Sequence, residues 1–240
     1  QLVNDSKPKM TTSSLPWLYK ATRNIYSMMS DRGYFEVDNQ EESEYYITFS
    51  TVEQSFAKFK KYCETELADF SIDELKKSIT RLFYNEKTGK YIYLLWHLEN
   101  LGISEVKNIV TELETFKKDG IDIDTMVIIC SKNITTTGND AFRLVERTRS
   151  VTVTIFMEEQ IGHDPTKHEY VPTHTILTTK KKKQILKMFA LEQCQCPEIS
   201  KDDPVAKWMG VKVGQMIKIV SIERTLDGHP LTRTSFRIVK

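Results

Sequence analysis

The residues able to do chemistry are few and scattered. Asp122 and Asp124 precede an apolar run at 125–130, and Lys132 follows it. Two carboxylates and a lysine are what a metal-dependent nuclease needs. A strand between them, however, would hold Lys132 roughly 25 Å from Asp124, at about 3.3 Å per residue, too far for one metal site. His168 and His174 flank "EYVPT", with no cysteine or carboxylate spaced to complete a metal site. His97 ends an apolar run beside Trp96 and reads as edge packing, not as a general base. Of the four cysteines, Cys194 and Cys196 stand too close for a zinc knuckle, and Cys63 and Cys130 supply no second pair. Reduced thiols of an intracellular protein are expected. The nine glycines form no phosphate-cradling loop, and no G-x-S-x-G elbow occurs. The expectation is a chain without catalytic centre, cofactor, metal or small-molecule substrate. One polar stretch remains, "SKNITTTGND". Lys132, Asn133, Thr135, Thr136 and Thr137 there place a cation, an amide and hydroxyls beside a helix start. Such a surface could meet a phosphate backbone, and it could equally be an ordinary strand-to-helix connection.

The elements that must hold these residues follow from hydrophobic period. Residues 1–14 are polar, begin without Met and read as a flexible tail. Trp17, Ala21, Ile25 and Met28 form a helical stripe over 15–32, with Pro16 in the first turn and Gly33 after the end. A second helix is predicted at 51–67, with Val52, Phe56, Phe59, Cys63 and Leu67 inward. Ser71 and Glu74 have capping-box spacing, and Ile72, Leu75, Ile79 and Leu82 extend that helix to residue 85. Then element types alternate. "KYIYLLWHL", "DTMVIICS" and "VTVTIFM" read as strands. A helix capped by Ser104 and closed by Gly120, and a helix over "GNDAFRLVERT", read as the crossovers between them. That order implies an α/β layer with parallel strands, spanning residues 15–160.

Residues 161–240 open with a linker carrying two prolines and three histidines. A basic helix follows, "TTKKKKQILKMFALE", with Ile185, Leu186, Phe189 and Leu191 facing a core. Its lysines at 180–183 are either solvated or set against a negative neighbour, since cations oppose the dipole at a helix start. Asp203 and Pro204 are a natural N-cap and first residue for a short helix with Val205, Trp208 and Met209 inward. Gly210 stops it, Gly214 turns the chain, and Gln215 and Lys218 open a β-rich strand. "LDGHPL" supplies a turn into the last strand, where Thr232, Thr234, Phe236 and Ile238 share a face. This is a small α+β domain. From Thr166 onward it holds 14 basic against 7 acidic residues in a chain whose net charge is only +1. Such asymmetry points to a polyanionic or an acidic protein partner. No apolar run approaches the roughly 20 residues that span a bilayer, so no membrane partner is expected.

The string "DPVAKWMGVKVGQMIKIV" closely resembles the signature of the fifth subunit of eukaryotic RNA polymerases, whose C-terminal domain has an archaeal counterpart. "HEYVPTHTILT" resembles the family's entry into the same domain, and "MMSDRGYF" the end of its first N-terminal helix. The order and spacing match as well. The resemblance implies an α/β N-terminal jaw domain and a small α+β C-terminal assembly domain. It implies a non-catalytic subunit of a nuclear DNA-directed RNA polymerase, anchored on the largest subunit, with the jaw near downstream duplex DNA. Asp203, Pro204, Val205, Ala206, Gly210, Gly214, Gln215 and Lys218 fall on the shared assembly motif, and residues 132–139 on the jaw loop nearest DNA. Trp208 and Met209 are expected to pack on the partner. Two departures stand out. "SIERTLDGHPLTRTSFRIV" replaces the family's Ser-Glu-Thr-Ala-Gly turn, and the loop lacks a proline. Departures of this size suggest a divergent lineage or a paralogue serving one class, with a nucleolar location if that class is polymerase I. DNA contact would be weak and non-specific, since the rest of the chain has 20 basic against 26 acidic residues. The rival readings are a free-standing nucleic-acid-binding adaptor and a nuclease-like enzyme on the α/β layer.

Overall fold

The computed structural model describes residues 14–37, 47, 53, 55–224 and 230–240. The expected tail at 1–14 thus falls almost wholly outside the described residues, as do most of 51–54 and the Asp-Gly turn at 227–228. The chain divides into two compact units, Gln1–His163 and Asp164–Lys240.

The first unit is a five-stranded mixed sheet in the order β1-β2-β3-β4-β5. Helix α1 (Leu15–Asp31) buries Leu18, Ala21, Ile25, Met28 and Met29. Strand β1 (Phe35–Glu36) follows, then α2 (Phe56–Thr65), whose first turn is capped by the Ser55 hydroxyl. Helix α3 (Ile72–Lys77) has the predicted capping box: the Glu74 carboxylate accepts from the Ser71 N–H at 2.7 Å. It does not run to residue 85. The Ser78 hydroxyl bonds back to the Leu75 carbonyl at 2.7 Å, and β2 (Arg81–Asn85) begins. Leu82, Phe83 and Tyr84 favour a pleated surface. They pair antiparallel with β3 (Lys90–His97) across a tight turn, and that long-range pairing overrides the local helical spacing.

From β3 onward the chain crosses over twice. Helix α4 (Ile103–Lys118) leads to β4 (Ile123–Cys130), and α5 (Thr136–Arg149) leads to β5 (Thr152–Met157). β3 and β5 both pair parallel with β4. Sheet side chains Tyr93, Met126, Ile128 and Cys130 pack with Val106, Ile109 and Leu113 of α4 and Phe142 and Val145 of α5. The alternate residues Ile92, Leu94, Val127 and Ile129 are buried on the other face. There Tyr26 of α1 meets Phe83 edge-on at 5.7 Å. Coverage of both faces accounts for the unbroken apolar run of β4. Two helix starts differ from expectation. Gly102, not Ser104, is the N-cap of α4, because the Glu105 carboxylate reaches back to the Gly102 N–H at 3.1 Å. Helix α5 begins two residues before Gly138, because the Thr135 hydroxyl caps it. A short helix, α6 (Glu158–Ile161), ends the unit, and its Ile161 carbonyl accepts from Asn24 at 2.8 Å.

The second unit is a four-stranded sheet in the order β6-β8-β9-β7. Its elements are β6 (Thr173–Ile176), α7 (Thr179–Met188), β7 (Glu198–Ile199), α8 (Pro204–Trp208), β8 (Met216–Arg224) and β9 (Pro230–Val239). β8 pairs antiparallel with β6 and β9, while β7 joins β9 in parallel at its last two residues. Helix α7 lies over one face, where Ile185 and Leu186 pack on Leu177, Cys196, Met216 and Ile238. The motif helix α8 lies over the other, where Ala206 and Val211 pack on Ile217 and Val239. Phe189 and Leu191 do not join the core. The helix ends at Met188, and Ala190 takes a positive φ, so both side chains are carried outward, 53% and 39% exposed.

Candidate functional site

The motif is built on backbone geometry. A carboxylate oxygen of Asp203 accepts from the N–H groups of Val205 at 3.0 Å and Ala206 at 3.2 Å. Pro204 needs no such partner and pre-sets the first turn. Gly210 and Gly214 take φ of +66° and +86°, which other residues rarely adopt, and these bends return the chain to the sheet. Gln215 locks the loop between them: its side chain accepts from the Lys212 N–H at 2.8 Å, and its carbonyl accepts from Val239 at 2.9 Å. The Lys182 amine reaches the Gly214 carbonyl at 2.6 Å and Gln193 at 2.7 Å. One of the four consecutive lysines is therefore structural, while Lys180, Lys181 and Lys183 are exposed.

Burial sorts the expected interface residues into two groups. Val205 is buried and Trp208 is only 2% exposed, so both side chains are spent inside the unit and neither is offered to a partner. Met209 is half-buried on the same cluster. Pro204 is exposed, and Asp203, Gly210, Gly214, Gln215 and Lys218 are half-buried. Among the apolar side chains that are offered to solvent are Val213 at 65%, Met188 at 67% and Ile222 at 73%. Ile222 shares the face of Lys218 and Val220, an alternation visible in the sequence. Val213 carries no periodic signal; its exposure follows from the turn between the two glycines.

In the first unit, Lys132, Asn133, Thr135, Thr136 and Thr137 lie together and exposed just beyond the carboxyl end of β4. Thr135 does most of the local work. Its hydroxyl accepts from Gly138 at 3.0 Å and lies 3.1 Å from that of Thr137, and its N–H donates to the Leu101 carbonyl at 3.1 Å. The loops after β3 and β4 are thereby stitched together. Gly138 is needed for the fit, because a Cβ there would lie 2.4 Å from the Leu101 oxygen. The Lys132 amine is bonded to Glu99 at 2.6 Å, and this contact holds the Glu99 carboxyl below its ordinary range. A phosphate would compete with that carboxylate for Lys132.

Lys132 also borders a groove lined by Trp17, Lys76, Glu99, Ser131 and Glu158. Its centre is the Lys76 amine, 2.8 Å from Glu158 and just under 6 Å from the rings of Trp17 and Trp96. The two rings meet edge-on at 6.0 Å, and the Trp96 N–H donates to Ser131 at 3.1 Å. Sequence reasoning missed this clamp, since its parts lie far apart in the chain. Asp122 and Asp124 sit at the opposite end of β4, Asp122 in an ion pair with Lys90. Among the described residues no group of three or more His, Cys, Asp or Glu side chains could hold a metal ion.

Comparison with known proteins agrees with the motif. Residues 163–238 match the family "RNA polymerase Rpb5, C-terminal domain". The chain is 26% identical over 201 residues to DNA-directed RNA polymerase V subunit 5A of Arabidopsis thaliana, covering 84% of this chain and 80% of that one. It is 26% identical over 125 residues to subunit rpabc1 of DNA-directed RNA polymerases I, II and III of Dictyostelium discoideum, covering 52% and 61%. It is 22% identical over 209 residues to the Caenorhabditis briggsae subunit RPABC1, covering 87% and 90%. With the capped helix, the paired glycines and the Gln215 lock in place on the matched unit, residues 163–238 match the Rpb5 C-terminal domain, and the chain as a whole is similar to fifth subunits of RNA polymerases, at 22–26% identity.

Proposed function

We propose that the protein is a non-catalytic subunit of a nuclear DNA-directed RNA polymerase. The second unit is its assembly domain, anchored on the largest subunit, and the first is a jaw beside downstream duplex DNA. The observation that carries this reading is the motif from Asp203 to Lys218, rigid in its backbone and lying in the unit that matches the family. Since Val205 and Trp208 are buried, the anchoring contacts fall to the exposed loop around Val213. DNA is guided and not read, because phosphate contacts position without specifying sequence. With Lys132 already paired to Glu99, the jaw binds duplex weakly, and only at the high local concentration that assembly supplies.

The test is purification of the tagged chain from its own cells in stringent salt. A stoichiometric largest subunit is expected. One class of partner would mark a class-specific subunit, and several would mark a shared one. Recovery of the functional tagged chain alone would overturn the reading in favour of a free-standing adaptor. Lys132→Glu is expected to leave assembly intact and to shorten retention on downstream DNA, most at low salt and less as salt rises. Unchanged retention at every salt concentration would remove the loop from the DNA path.

A further inference from the structure

The outer edge of β9 is open. β9 runs over ten residues, yet β7 pairs with it only at Ile238 and Val239. The Ile238 N–H donates to the Pro197 carbonyl and the Lys240 N–H to that of Ile199, both on the β7 side, while the Val239 N–H turns the other way to Gln215. By this alternation the backbone groups of Thr232, Thr234 and Phe236 face the same side as β7, where no strand continues among the described residues. An edge of this kind is a template for another strand.

The sheet face beside that edge is half-covered. Lys218, Val220 and Ile222 of β8 share it with Thr232, Thr234 and Phe236 of β9. Helix α7 covers only its inner end, over Met216 and Ile238. Between the helix and the uncovered part runs a groove lined by Lys181, Gln184, Ile185, Met188, Lys218 and Phe236. Met188 and Phe189 overhang it at 67% and 53% exposure, and Ile222 continues the apolar strip outward at 73%. The charged groups on the groove itself are the cations Lys181 and Lys218, with exposed Lys180 and Lys183 on the same helix turn.

We propose that this edge and groove take an extended, acidic peptide segment of a partner protein. The segment adds to β9 as a fifth strand. Its alternate apolar side chains drop onto Phe236, Met188 and Ile222, and its carboxylates meet Lys181 and Lys218. Main-chain bonds supply affinity and the alternate pockets supply choice of sequence. A nucleic acid would satisfy the lysines but neither the apolar floor nor the row of backbone donors and acceptors. The site lies on the sheet face opposite α8, so it goes beyond the anchoring role.

The test uses the full chain and a labelled, capped decapeptide alternating glutamate and valine, with a lysine–valine decapeptide and a duplex oligonucleotide as comparisons. The acidic peptide is expected to bind and to slow hydrogen exchange at Thr232, Thr234 and Phe236. Exchange at Arg233 and Ser235, whose backbone faces β8, is expected to stay unchanged. Thr234→Pro removes one outward donor at a position where an edge strand tolerates proline. It is expected to keep the circular dichroism and Trp208 emission of the parent, to co-purify with the same partners, and to lose about tenfold in peptide affinity, the worth of about 1.4 kcal/mol. Thr234→Val should bind as the parent does, and Lys181→Glu should weaken the acidic peptide while favouring the basic one. Undiminished binding by folded Thr234→Pro, or no alternating protection, would overturn the proposal. Stronger binding of the duplex with the same lysine dependence would replace it with a nucleic-acid site. Neither result would touch the anchoring reading unless co-purification also failed.

Discussion

Asp203 shows how little chemistry the motif needs. Its carboxylate satisfies two of the orphan donors at the start of α8, a helix of only five residues. Loss of such a cap costs about 0.5–2 kcal/mol. In a unit this small each 1 kcal/mol shifts the midpoint by roughly 4–8 °C. Asp203→Ala is therefore expected to lower the unfolding temperature of the second unit by several degrees, with Asp203→Asn restoring most of it. A scan showing no shift for Asp203→Ala would remove the cap from the account. His97 is the residue with a pH signature. Burial pushes its pKa below the ordinary 6.5, and its Nε2 lies buried without a hydrogen-bond partner. The folded state then binds its proton less readily than the unfolded chain does. That contribution to stability is present above about pH 6.5 and is lost as pH falls below it. The acid limb of stability against pH should be flatter for His97→Gln than for the parent; identical limbs would show that His97 titrates alike in both states.

At the scale of elements, local signals are legible in the sequence and long-range ones are not. The capping box at Ser71 and the cap at Asp203 stand in the sequence because each lies within one turn. Residues 81–85 read as helix because Leu82 continues the spacing of Ile72, Leu75 and Ile79. Only pairing with β3 shows that Leu82 belongs to a strand. The Lys76 clamp is invisible in the sequence for the same reason: Trp17, Lys76, Trp96 and Glu158 come from four elements. The exposed run at 132–137 shows in the composition, whereas its ties to Leu101 and Glu99 need the fold. Those ties carry a prediction. Gly138→Ala puts a methyl carbon against the Leu101 carbonyl, where backbone must move to admit it. Overpacking of this kind typically costs about 1–3 kcal/mol. Chemical denaturation should show a loss in that range for the first unit, with faster amide exchange at Leu101 and Thr135, whose N–H groups make the stitch. Wild-type stability of Gly138→Ala would mean that the two loops separate freely.

For the whole molecule, the division after His163 separates two cores and two sets of reporters. Trp17 and Trp96 belong to the first unit, and Trp208 is the single tryptophan of the second. The second unit, Asp164–Lys240, is a small domain, which buries a smaller share of its surface than a large one does. Its cysteines, Cys194 and Cys196, are free thiols, so stability must come from packing. Two clusters supply it, one under α7 around Met216 and Ile238, the other under α8 around Ile217 and Val239, with β8 and β9 common to both. A unit built on one shared hairpin with both faces covered at the same end should unfold cooperatively. A fragment of residues 164–240 is therefore expected to fold alone, with the blue-shifted emission of a buried Trp208 and one sigmoidal loss of it in urea. In the full chain Trp208→Phe should leave a transition reported only by Trp17 and Trp96, at a midpoint independent of Asp203→Ala. If the fragment emits like free tryptophan in water, or if Asp203→Ala moves both transitions equally, the second unit does not stand by itself, and the assembly role proposed for it would have to be assigned to the whole chain.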